Sequence, residues 1–272
     1  MKFHCMTRGN EQSIEYLSEL SARLEKAGYE SVLLVYHSKV PDFLTKAVRV
    51  MSDKQKLKYM IAIRTYAISP EYMAMMCQSI NEMAPNKIIL NVVSGDIHAG
   101  ETSVEDLVLV SQFLQTTESR INYTDIWLDK FLNMDILRSK PPIVMGGHSD
   151  ETRKLAIKHN ATHLSMINRH EDHLKSRSPI HNKNQMICFG LVVRDTQEEA
   201  DRFGEEFFSE SEKLLFICGT KEHLTDKINY LKSIGISDLL VHDHMDDPQS
   251  DRVHDIIEEL IKEQNEFGKM VK

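Results

Sequence analysis

The sequence predicts an α/β fold, a single (β/α)8 TIM barrel spanning residues 1–272, and three observations predict it. Short apolar runs rich in β-branched residues alternate with longer segments of helical periodicity. There are eight such runs, which closes a barrel more naturally than it fills an open sheet. Finally, 272 residues with 41% hydrophobic content suit one barrel, for which about 250 residues is typical.

Residues 58–95 set the pattern. Tyr59–Ile63 and Ile88–Val93 are too short for helices and uniformly apolar, as parallel strands covered on both faces must be. Between them Ser69-Pro70-Glu71 opens a helix with an N-cap, a proline at its first position and an early acid, and Pro85-Asn86 closes it.

The other elements follow in order. Met1–Met6 is the first strand, and Ser13–Ala27 a helix with Ile14, Leu17, Leu20 and Leu24 at helical spacing and Gly28 as its C-cap. Ser31–Tyr36 is the second strand and Asp42–Met51 a helix. Residues 103–138 read as mostly helical with a break near Thr116–Ser119. Pro141–Met145 is the fifth strand, Asp150–His159 its helix, and Thr162–Met166 the sixth strand. Asn168–Asn184 is polar and reads as an exposed loop around a short helix. Met186–Val193, a helix over Gln197–Ser209, a helix over Lys221–Ile234, the eighth strand Asp238–His242 and a helix over Asp251–Lys262 complete the chain.

Composition narrows the function. A net charge of −8 argues against nucleic acid or an anionic membrane as partner. Cys5, Cys77, Cys188 and Cys218 lack C-x-x-C spacing and read as reduced thiols of a cytoplasmic protein. No signal peptide and no run of transmembrane length is evident.

Barrel sites lie at the C-terminal strand ends, which selects His37-Ser38, Arg64-Thr65-Tyr66, Asn91 to Asp96, Gly146 to Ser149, Ser165 to Asn168 and His242 to His244. In P-P-I-V-M-G-G-H-S-D-E-T (141–152) two glycines permit close backbone approach, and the chain then enters a helix whose free N–H groups favour an anion such as phosphate. The plainer reading is a tight turn with Ser149 or Asp150 as an ordinary N-cap. Asn91, Val93 and Ser94 end the fourth strand, where amide and hydroxyl groups could face a polar ring edge or only satisfy nearby backbone. Arg64 is either a ligand contact or a salt-bridged rim. His159, His163, His170, His173 and His181 raise zinc, but their spacing matches no zinc signature, and no metal site is assigned.

Two segments carry a family resemblance. R-x-x-x-I-S-P (64–70) followed by N-K-I-I-L-N-V-V-S-G-D (86–96), with the fifth-strand motif, resembles the luciferase-like flavin monooxygenases, nearest the FMNH2-dependent alkanesulfonate monooxygenases. L-K-S-I-G-I-S-D-L-L-V (231–241) extends the likeness towards the C-terminus. The resemblance implies a barrel of the bacterial-luciferase type with FMN, in reduced form, as cofactor. It implies flavin-phosphate binding at Gly146, Gly147, His148 and Ser149 and isoalloxazine contacts at Asn91, Val93 and Ser94, with Arg64 a further cofactor candidate. A separate flavin reductase, a small organic substrate and a homodimer are the implied partners. The catalytic residues stay unassigned, with His37 and His244 as candidates.

Three departures bear on the reaction. Val40 stands where the alkanesulfonate enzymes carry a cysteine, Cys188 and Gly190 where they carry an arginine and a histidine, and only Phe208 to Thr220 spans the place of their long loop. Alkanesulfonates are therefore expected to be poor substrates, the site mouth to be open, and Asn168–Asn184 to be the candidate lid. A flavin-dependent monooxygenase using O2 is the first reading. A non-catalytic flavin-binding or interaction protein on the same fold is the second, and a metal-dependent hydrolase, resting on the histidines, the third.

Overall fold

The computed structural model of the chain describes residues 1–7, 13–35, 42–51, 55–94, 114, 116–166, 184–209, 215–243 and 251–270. His37, Val40, Gly95, Asp96, His170, His173, His181 and His244 lie outside the described residues, as does the proposed lid segment except Asn184. In chain order the elements are β1 (Lys2–Met6), α1 (Ile14–Ala27), β2 (Ser31–Leu34), α2 (Phe43–Val50), β3 (Lys58–Ile63), α3 (Pro70–Met83), β4 (Ile88–Val93), α4 (Thr117–Leu132), β5 (Ile143–Gly146), α5 (Asp150–Lys158), β6 (Thr162–Met166), β7 (Gln185–Val193), α6 (Gln197–Phe207), β8 (Phe216–Gly219), α7 (Lys221–Ser233), β9 (Asp238–Asp243) and α8 (Asp251–Met270).

Each of the eight expected strands is present. Two features differ from the sequence reading. A short strand, β8, lies inside the segment expected to be a bare connection, and α8 runs on to Met270 rather than stopping near Lys262. The extension, residues 263–270, reads EQNEFGKM, in which Glu, Gln, Lys and Met favour a helix and Asn265 and Gly268 do not.

The chain divides into two compact units: Met1–Met6, Leu20–Val32 and Ser165–Lys272 form one, Thr7–Glu19 and Leu33–Leu164 the other. In the second unit β3, β4, β5 and β6 pair in parallel, with Ile61 opposite Leu90, Leu90 opposite Ile143 and Gly146 opposite Leu164. Local chemistry sets the helix between β3 and β4. The Ser69 hydroxyl accepts from the Tyr72 amide at 3.1 Å, Pro70 begins α3, and Asn86 turns the chain back with φ of +60°. Trp127 and Phe131 of α4 stack at 5.1 Å in the buried layer. Trp127 also donates its indole N–H to the Ile68 carbonyl at 2.8 Å, so the loop leaving β3 is pinned to a rigid helix.

The first unit carries β1, β9, β7 and β8 in parallel, with Phe3 opposite Leu239, Ile187 opposite Leu239 and Leu191 opposite Ile217. Leu239, Leu240 and Val241 are fully buried; each such side chain contributes about 1.5–3 kcal/mol, which accounts for the unbroken apolar run. Gly28 ends α1 at φ of +87°, and a Cβ there would lie 3.0 Å from Ile261 of α8. Beneath the strands runs a buried polar chain: His4 Nδ1 meets Ser31 Oγ at 2.6 Å and His4 Nε2 meets Asp238 Oδ1 at 3.0 Å. The trio has the composition of a hydrolase triad. Ser31 is 0% exposed, however, at the start of β2, and Asp238 begins β9. It therefore sits at the N-terminal strand ends, where a barrel keeps stability rather than chemistry.

Candidate active site

The second unit gathers most of the predicted cofactor residues at the C-terminal ends of β3, β4 and β5. Asn91 of β4 pairs with Val144, and Val93 with Gly146, so Asn91 and Val93 share a face beside the glycine. A Cβ on Gly146 would lie 3.1 Å from Asn91 Oδ1 and 3.3 Å from Val93 Cγ2. The missing side chain is what admits the carboxamide. Asn91 is 3% exposed, and its Oδ1 has no hydrogen-bond partner among the described residues. An acceptor buried in this way costs about 1–3 kcal/mol, so such groups are retained where something else satisfies them.

Gly147 follows with φ of +155°, a conformation that side chains disfavour. A Cβ there would meet Thr152 Oγ1 at 2.8 Å. The turn is held from behind: Gly147 N donates to Leu164 O at 3.1 Å and His163 Nε2 donates to the Gly147 carbonyl at 2.9 Å. His163 thus clamps the glycine turn, a role the histidine spacing did not reveal. The signal was the backbone itself, since a buried carbonyl in a turn needs a donor.

Ser149 forms the N-cap that one reading of the sequence gives it. Its hydroxyl caps α5, accepting from the Thr152 amide at 3.1 Å and lying 3.2 Å from Thr152 Oγ1. Asp150 and Glu151 fill the first turn, so an anion at this corner is favoured by the amides and opposed by two carboxylates. His148 is exposed and Ser94 buried.

Arg64 leaves β3 half-buried, with Nε and Nη1 withdrawn from solvent. The next residue, Thr65, meets the Thr124 hydroxyl at 3.1 Å, which fixes where the arginine starts. Arg64, Asn91, Val93, Ser94 and the 146–149 turn therefore all belong to one unit and one set of strand ends.

The histidines raised for metal part company. His159 bonds Asp125 at 2.7 Å on the outer surface, and the Lys158 ammonium bonds Asp125 at 2.6 Å and Asp129 at 3.2 Å. Burial pushes the Asp125 carboxyl up, but the hydrogen bonds from Lys158 and His159 outweigh it and hold its pKa below the usual value. This group is an ion network whose positive charge the protein itself supplies.

On the first unit Cys188 and Gly190 lie along β7. The Cys188 thiol is pushed up to about 12 by burial and stays neutral. The Phe216 ring occupies the space that a side chain at Gly190 would take. Among the described residues no helix is long and apolar enough to cross a membrane.

The sequence pattern of the luciferase-like monooxygenases matches residues 1–212. Three solved structures show how widely the fold is used. The EDTA monooxygenase EmoA from Chelativorans sp. BNC1 is 9% identical with a TM-score of 0.74, over 97% of this chain and 94% of that one. The riboflavin lyase RcaE, solved with modified FMN and substrate riboflavin, is 12% identical with a TM-score of 0.70, over 97% and 92%. The coenzyme F420 dependent tetrahydromethanopterin reductase from Methanopyrus kandleri is 12% identical with a TM-score of 0.65, over 94% and 97%. At these identities the likeness establishes the fold, an eight-stranded parallel α/β barrel, and leaves the chemistry to be argued from the site.

Proposed function

We propose, starting from the fact that the chain belongs to the luciferase-like monooxygenase family, that it is an FMN-dependent monooxygenase that uses O2 on a small organic substrate. It receives reduced FMN from a separate flavin reductase and works as a cytoplasmic homodimer. The observation that carries this reading is Asn91: a buried carboxamide oxygen without a partner among the described residues, lying against a glycine at the strand ends. A planar heterocycle with an N–H on its edge satisfies that oxygen.

The remaining residues fit the same ligand. The Gly146-Gly147 turn, held by His163 and by the bond from the Gly147 amide to the Leu164 carbonyl, leads into the N-terminus of α5, whose dipole favours a phosphate. Val93 supplies apolar contact and Ser94 a hydroxyl. Reduced FMN, when bound, supplies the electrons that allow one oxygen atom of O2 to enter the substrate. The protein's share is to bind and orient the ring, keep the phosphate in place and limit water.

An oxygen pulse tests the reading. Protein loaded anaerobically with reduced FMN is mixed with oxygenated buffer, and flavin reoxidation and hydrogen peroxide yield are followed. A time course distinct from that of free reduced FMN supports the monooxygenase. Binding with free-flavin kinetics refutes it in favour of a non-catalytic flavin-binding protein.

A further inference from the structure

Strand register brings Arg64 and the glycine turn into one layer of the second unit. Ala62 of β3 lies opposite Asn91 of β4, Asn91 opposite Val144 of β5, and Val93 opposite Gly146. Side chains alternate along a strand, so Arg64, two residues beyond Ala62, continues the same face into the layer of Val93 and Gly146. Two strand spacings, about 10 Å, separate β3 from β5. Asp150 and Glu151 in the first turn of α5 oppose an anion beside the glycines, and Arg64 is the cation that register sets against them.

The segment carrying Arg64 is held from α4. Thr65 turns towards that helix and its hydroxyl meets the Thr124 hydroxyl at 3.1 Å; both residues are buried, and among the described residues neither hydroxyl has another partner. One turn further along α4, Trp127 donates its indole N–H to the Ile68 carbonyl at 2.8 Å. Within the loop, the Ala67 amide donates to the Arg64 carbonyl at 3.0 Å. Two positions three apart on α4 thus hold two positions three apart in the loop. Between them Asp125 bonds His159 at 2.7 Å and Lys158 at 2.6 Å, which ties the same turn of α4 to the far end of α5. A single helical turn therefore sets both the loop that bears Arg64 and the helix that follows the glycines.

We propose that Thr124 is a positioning residue for the flavin site: its bond to Thr65 keeps Arg64 on the face of Gly146, where the guanidinium meets the negative charge of bound reduced FMN. The inference rests on the flavin reading above. Thr124 lies on the helix side of the strand and acts through Thr65. Without its hydroxyl, that of Thr65 is left buried with no partner, and such a group is relieved by turning towards water. Arg64, one residue earlier, moves with it.

A double-mutant cycle on the full chain, read as reduced-FMN affinity in anaerobic titration, tests this. Arg64→Met keeps the apolar stem and should weaken binding about tenfold or more, the scale of a charged hydrogen bond. Thr124→Val keeps the shape and removes the hydroxyl. It should weaken binding about three- to tenfold in the wild-type background and change it by less than about twofold in Arg64→Met, while Thr124→Ser should bind as the wild type does. Thr65→Val should match Thr124→Val and add nothing to it, and it takes its place if circular dichroism shows that Thr124→Val does not fold. Reduced riboflavin is titrated alongside. A loss confined to FMN assigns the charge to the phosphate, an equal loss for both ligands assigns it to the ring, and either upholds the inference. The same loss from Thr124→Val with and without Arg64 overturns it while the flavin reading stands, as does wild-type affinity in Arg64→Met or in folded Thr124→Val. A wild-type chain that does not bind reduced FMN refutes the flavin reading, and this inference with it.

Discussion

Asn91→Leu should make the protein more stable and a poorer flavin binder at once. The two side chains branch alike, so leucine fits the strand face while replacing the unpartnered oxygen with a methyl group. Removing a buried, unsatisfied acceptor recovers about 1–3 kcal/mol. Part of that is lost to crowding, because the space beside Gly146 is tight: Oδ1 already sits 3.1 Å from the position of a Gly146 Cβ. A net gain of about 1 kcal/mol corresponds to a Tm rise of roughly 2–4 °C for a chain of this size. The same exchange deletes one hydrogen bond to the bound ring, worth about 1 kcal/mol or roughly fivefold in affinity. Differential scanning calorimetry of the ligand-free protein and anaerobic titration with reduced FMN give both numbers. A lower Tm together with unchanged FMN affinity refutes the reasoning, because it places Asn91 in the scaffold.

The glycine turn gives a second expectation: Gly147→Ala destabilises the ligand-free protein through backbone strain at φ of +155° and its contact with Thr152 Oγ1, and Thr152→Ala in the same chain recovers only part of the stability and none of the reduced-FMN affinity. Restoration of both would place the glycine in packing alone. At Asp238, burial pushes the carboxyl up but the hydrogen bonds from His4 and Ser237 outweigh it, leaving the pKa below its usual 3.8. The stability this group contributes is complete above the unfolded pKa and is lost as pH falls through the folded one. Asp238→Asn should therefore show a shallower loss of urea resistance than the wild type below about pH 4, and parallel curves would contradict it. Short-chain alkanesulfonates should release little sulfite in an assay coupled to a flavin reductase, since Gly190 carries the Phe216 ring in place of a cation; rapid release would show that this exchange does not matter.

Most of the fold was legible because its signals are local. Ser69, Pro70 and Asn86 each act within a few residues, and their caps and turn appear where the sequence puts them. Likewise, the fully buried runs of β3, β4 and β7 can only be strands covered on both faces. What was not legible depends on register between distant segments. Phe216–Gly219 is too short and too exposed to announce a strand, and it becomes one only by pairing in register with Gly190 to Val193. That Asn91 faces a glycine follows from its pairing through Val93 and Gly146. His163 reaches the Gly147 carbonyl for the same reason. The Ser149 cap of α5 is local as well, three residues from its donor Thr152.

The proposed function requires the strand ends bearing Asn91, Gly146 and Gly147 to hold reduced FMN. Anaerobic calorimetric titration of the wild-type chain with reduced FMN and with reduced riboflavin measures it most directly, since the two ligands share the ring and differ by the phosphate. Saturable binding of FMN is expected, with weaker binding of riboflavin and a further loss for both in Asn91→Leu. Absence of heat with either ligand, or equal affinity for the two, would contradict it.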